Sequence, residues 1–160
     1  MPFTPFHWGP TSLIGLTWFR KFDFATLLTA TTVIDFEPLI VLGLSLDYPT
    51  HGFFHSFVGS SPLAVITAIV MYLLRDRIRG IMADFNLQQN SSFKTILWSS
   101  FFGFYFHIFI DSLIYREMNP FYPFKGNPLY AISPFYMYLF CGAALLAALF
   151  LYAVKYKGNT

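Results

Sequence analysis

The chain has 160 residues, of which 56% are hydrophobic, only 11% are charged, and 21 are phenylalanine. A soluble domain carries about a quarter charged residues, and one core of this size cannot hide so much apolar surface, whereas lipid can solvate it. The net charge of +2 with no run of like charges excludes a nucleic-acid tail, and a single cysteine excludes both a disulfide framework and a cysteine-based zinc finger.

Residues 1–10 hold three prolines and no basic residue, which does not read as a cleaved signal peptide. Helices and closed barrels are the only structures that span lipid, and long apolar runs without alternation favour helices. The chain therefore reads as an all-α, polytopic transmembrane helical bundle of about five membrane helices in one integral membrane domain, residues 1–160. The first stretch, residues 8–19, is short for a span and is expected to lie tilted or partly re-entrant. The second, residues 24–46, is interrupted by Asp35, Glu37 and Pro38. The third, residues 54–74, opens on "HGFFHS", in which His51 and His55 share a face if the helix already begins at His51. A polar connection rich in arginine follows over residues 75–92. The fourth helix, residues 93–115, carries His107 and Asp111 one above the other at i, i+4 spacing. Residues 116–133 contain prolines at 120, 123 and 128, which forbid a long helix, together with aromatic residues that suit an ordered cap over a helix end. The fifth helix covers residues 134–156, with Cys141 read as a small apolar residue of a buried helix face.

The basic residues set an expected orientation. With five alternating spans, Arg20, Lys21, Arg75, Arg77, Arg79, Lys94, Lys155 and Lys157 fall on one side, eight of ten, leaving Arg116 and Lys125 opposite. The positive-inside rule then predicts an N-terminus outside and a C-terminus inside the cell membrane.

An ionisable residue within a span costs about 2.5–3.5 kcal/mol on insertion scales, so such residues mark function. Under this topology His7, Asp35, Glu37, His51, His55, His107 and Asp111 come from four segments and converge on the outer half. Asp35 is the difficult member: on a straight helix it lies ~18 Å below Asp47. A break at Pro38 would lift it. Asp47, near the same mouth, reads as a capping or solvated residue. Imidazole with carboxylate is a ligand set for zinc, and also for manganese or iron. His7, Asp35, His51, His55, His107 and Asp111 are the candidate metal ligands. Glu37 reads as a general base or as a partner behind a ligand, and His51 as an alternative proton acceptor.

With "PFTPFH", "IDFEP", "HGFFHS", "HIFIDSL" and the cap "NPFYPFKGNPL" in this order, the chain resembles the YdjM-like family of bacterial and archaeal membrane-bound metal-dependent hydrolases. That family is remotely similar to zinc-dependent phospholipases C. The resemblance implies hydrolysis, with one cation or a pair bridged by Asp111, because the further downstream histidine and HxxxE of the phospholipases are lacking. A site in the membrane suits a phosphoester or lipid-linked substrate, and Arg116 and Lys125 are then candidates for binding its phosphate, or for contacting lipid headgroups. Membrane lipid is the expected partner, a homo-oligomer is compatible with the sequence, and nucleic acid is not expected. Two other functions fit the same residues: a metal or proton transporter, and a metal-stabilised subunit without turnover.

Overall fold

A computed structural model describes residues 5–157. Among the described residues the ordered elements are α1 (Pro5–Thr17), α2 (Phe24–Val33), α3 (Phe36–Gly43), a 3-10 turn (Phe53–His55), α4 (Phe57–Ala83), α5 (Phe93–Ile114) and α6 (Pro134–Tyr152), with a π turn (Ala153–Lys157) after α6. Four stretches are long and apolar enough to cross a membrane: Phe24–Gly43, Phe57–Ala83, Phe93–Ile114 and Pro134–Tyr156. The chain is thus an all-helical, multi-pass membrane protein. The first element, α1, has 13 residues and falls short of that length.

Successive crossings of the chain alternate in direction. Phe6 stacks near Tyr138 at the start of α6, while the Tyr156 hydroxyl donates to the Leu16 carbonyl at the end of α1, so α1 and α6 run parallel and in contact. A Cβ at Gly9 would collide with the Cys141 carbonyl, so glycine is what lets these two helices close. A Cβ at Gly103 would lie 2.7 Å from the Ala30 Cβ, which gives α2 and α5 the same kind of close approach. Ala30, Ile34, Ala64, Phe104, Ile108 and Met118 form a buried cluster between α2, α4 and α5.

The second predicted helix is broken at Ile34 and Asp35, one turn before Pro38 rather than at it. Proline has no N–H, and its ring would press on the carbonyl four residues earlier, which is that of Ile34. The chain tightens instead: the Asp35 amide bonds the Thr32 carbonyl at 3.2 Å, and the Glu37 amide bonds Ile34 at 3.3 Å. Pro38 then sits in the first turn of α3, where a missing donor costs nothing.

Two further expectations are corrected. The third span, expected over residues 54–74, begins neither at residue 54 nor at His51, where a shared helix face of His51 and His55 would need it to begin. Ser56, extended at φ −118° and ψ 154°, accepts a hydrogen bond from the Gly59 amide and starts α4 at Phe57, so the "HGFFHS" residues precede the helix. Nor does α4 stop at residue 74. It runs 27 residues in all, to Ala83, with Arg75, Arg77 and Arg79 on it and an Asp76–Arg79 ion pair at 3.1 Å. Residues 116–133 are an ordered cap that satisfies helix ends. The Asn127 side-chain amide donates to the Ser112 and Tyr115 carbonyls at 2.6 and 2.7 Å, and the Phe57 amide donates to the Pro120 carbonyl at 2.9 Å.

Candidate metal centre

The end of the bundle under this cap gathers the N-terminal ends of α1, α4 and α6 and the C-terminal ends of α2 and α5. Two turns below the end of α5 stands His107, fully buried. Its Nδ1 lies 2.9 Å from the Thr31 carbonyl. A carbonyl can only accept, so Nδ1 carries the hydrogen and Nε2 is the nitrogen that faces the site. The Thr31 carbonyl is available near the helix end because α2 stops two residues later.

His107 Nε2 meets two carboxylates, Asp111 Oδ2 at 3.0 Å and Asp35 Oδ1 at 3.4 Å. The first contact follows from i, i+4 spacing on α5. The second follows from the break before Pro38, which turns Asp35 toward α5. Asp35, Asp111 and His107 are all buried. Two buried carboxylates around one imidazole nitrogen repel each other and its lone pair unless positive charge lies between them.

His55 completes the group. Its Nδ1 lies 2.6 Å from Glu37 Oε2, leaving Nε2 buried and without a hydrogen-bond partner. Ligand atoms of Asp35, His55, His107 and Asp111 all lie within 4.8 Å of one another. Asp111 Oδ1 is likewise buried without a hydrogen bond, although His7 Nε2 is 3.2 Å away. Orphaned buried acceptors are rare in folded proteins. Here they belong to a borderline nitrogen-and-oxygen donor set converging from three segments, so these residues fit a divalent cation.

The remaining candidates surround this group. His7 stacks on His107 with ring centroids 4.1 Å apart. Two α1–α2 contacts hold it there: Trp8 Nε1 donates to the Thr32 hydroxyl at 2.9 Å, and the Thr11 and Thr31 hydroxyls meet at 3.4 Å. His51 lies farther out, 4.0 Å from Asp111 Oδ2 through Nε2, with Nδ1 at 3.6 Å from Glu117 Oε1. Burial pushes the His51 imidazole below its ordinary value, against the opposing pull of Asp111. Glu37 sits behind His55 rather than among the four converging ligands, and it also accepts from the Phe54 amide at 3.3 Å. Arg116 and Lys125 are exposed on the cap, outside the cluster, and Asp47 is exposed beyond α3.

Three contributors have no counterpart among the sequence candidates. The Thr31 carbonyl is a backbone group, which carries no residue signature. Glu117 follows the HxxxD helix but is exposed, and only the fold turns it onto His51. Tyr115 stacks on His51 at 4.2 Å, and its buried hydroxyl has no hydrogen-bond partner. Its place four residues after Asp111 was the available signal.

The family model described as YdjM inner membrane protein matches residues 7–159, and the chain belongs to this family. No curated protein and no solved structure matches it.

Proposed function

Taking that membership as the premise, we propose that the protein is a membrane-embedded, metal-dependent hydrolase of a phosphoester or lipid-linked substrate. The carrying observation is His107 Nε2 between two buried carboxylates, with the orphaned Nε2 of His55 in the same group. Asp35, His55, His107 and Asp111 would hold the cation, zinc first by ligand type, with manganese or iron compatible. The two oxygens of Asp111 face different histidines, His7 and His107, which suits a carboxylate shared by a pair of cations. A bound divalent cation supplies Lewis acidity, polarising a phosphoryl or acyl oxygen and making water nucleophilic near neutral pH.

The chain's own residues do the rest. Glu37 and the Thr31 carbonyl fix the rings of His55 and His107, so that each presents Nε2. His51, kept neutral by burial, is the proton acceptor beside Asp111, and the exposed Glu117 carboxylate gives that proton a way out. Arg116 and Lys125 on the cap bind the substrate's phosphate.

Elemental analysis of protein purified without chelator tests this reading. One or two equivalents of metal are expected in the wild type and none in His107→Ala, together with metal-dependent hydrolysis in a panel of phosphoesters and lipids. Metal-free wild-type protein sinks the proposal.

A further inference from the structure

A cavity adjoins the cluster from the side. It lies between α3 and α4, has a volume of about 330 Å³, and is walled by Val33, Ile34, Ile40, Val41 and Leu63. Its polar wall is Glu37, whose carboxylate accepts from the Phe54 amide at 3.3 Å and meets His55 Nδ1 at 2.6 Å. Tyr48 and Phe54 close the end nearest the loop, where the Tyr48 hydroxyl accepts from the Phe53 amide at 2.9 Å. Along α3, Phe36 and Ile40 are more than half exposed on a stretch apolar enough to lie in lipid. The cleft therefore opens toward the hydrocarbon and ends at a carboxylate one residue removed from the metal group.

We infer that this cleft holds an acyl chain of a membrane lipid, with the lipid's polar group directed past Glu37 to the His/Asp cluster. The occupant follows from the medium and from continuity. Lipid is what fills a lateral apolar cleft inside a bilayer, and this one runs into the proposed centre through a shared side chain. Lipid tails solvate an acyl chain as well as leucine does, so the cleft prefers a tail through close packing against its walls and through the polar group anchored at the cluster, not through apolar burial. Its contribution is orientation: a tail fixed along α3 and α4 brings the ester-bearing end of the molecule to the cluster. The inference rests on the proposed hydrolase for its chemical consequence, and on the cleft alone for binding.

The test separates the two. The protein is reconstituted in phosphatidylglycerol vesicles doped with the same lipid carrying a diazirine on its acyl chain, irradiated, and its labelled residues are mapped by mass spectrometry. Labelling at Val33, Phe54 and Leu63 is expected to exceed that at Leu146 and Phe150 on the exposed face of α6. The double variant Ile40→Trp, Leu63→Trp fills the cleft and is expected to lower labelling at Val33 and Phe54 about tenfold, the size of a ~1.4 kcal/mol loss. Equal labelling on all lipid-facing helices, or labelling untouched by the tryptophans, overturns the inference. The wild-type map decides alone if the variant does not fold. Cleft labelling without lipid hydrolysis upholds the tail site against the hydrolase reading; hydrolysis without cleft labelling does the reverse.

Discussion

At His107 a single backbone carbonyl decides which ring nitrogen faces the cluster, and at His55 the carboxylate of Glu37 does the same. Glu37→Gln keeps an acceptor but removes its charge, so His55 becomes a poorer ligand while the fold stands. Loss of such a partner behind a metal ligand typically weakens binding by about 10–100-fold. Competition against a chromophoric chelator measures this, and unchanged affinity would make Glu37 a bystander. His107 and Asp111 were legible in the sequence because i, i+4 spacing on an uninterrupted helix fixes their relation. Glu117 was not, because an exposed glutamate in a proline-rich segment looks like any solvated residue until the cap is folded over His51.

Pro38 shapes the centre without touching it. By denying Ile34 its helical hydrogen bond, it ends α2 where Asp35 can turn onto His107. Pro38→Ala is expected to let the helix run through, improving local helix propensity while drawing Asp35 away. Thermal stability of the metal-free protein should hold or rise and metal affinity should fall; a parallel change in both would mean that the break serves only stability. The close approach of α2 and α5 gives a contrasting expectation. Gly103→Ala forces a Cβ against Ala30 and the Leu27 carbonyl and should cost about 1–3 kcal/mol, read from unfolding in detergent. The "IDFEP" interruption could be read, but its position was taken as the proline itself, since the steric effect acts one turn upstream. The end of α4 was misplaced for another reason. Hydropathy reports the thickness of the lipid, whereas a helix continues into water as long as its residues support it, and Arg75 to Arg79 do. His51 and His55 were correctly paired but for the wrong reason: a 3-10 turn, not a helix face, brings their rings to 5.0 Å.

Across the whole molecule, the end opposite the cluster collects Arg20, Lys21, Arg75, Arg77, Arg79, Lys94 and Lys155, while Arg116 and Lys125 share the end with the cluster. Positive-inside bias predicts that the cluster faces the extracytoplasmic side. In intact cells, Lys125→Cys should react with a membrane-impermeant maleimide and Arg77→Cys should not, with the buried Cys141 as silent background; the opposite pattern inverts the topology. A cation held by Asp35, His55, His107 and Asp111 would tie the α2–α3 break and the turn before α4 to α5, and so would couple binding to stability. Chelation should lower the melting temperature in proportion to affinity, and His107→Ala should be insensitive to it. The gathering of most basic residues at one end was legible because charge asymmetry and span order are properties of the whole chain, which single misplaced helix ends do not disturb. The seat of α1 carries a consequence for synthesis. His7 precedes every other member of the cluster along the chain, yet the helix that bears it packs along α6, the last of the described α-helices to be made. The contacts of α1 with α2 can form early, but its seat along α6 must wait until α6 has been made. A nascent chain halted before α6 would carry all four converging residues of the cluster, yet hold His7 over them from the α2 side alone.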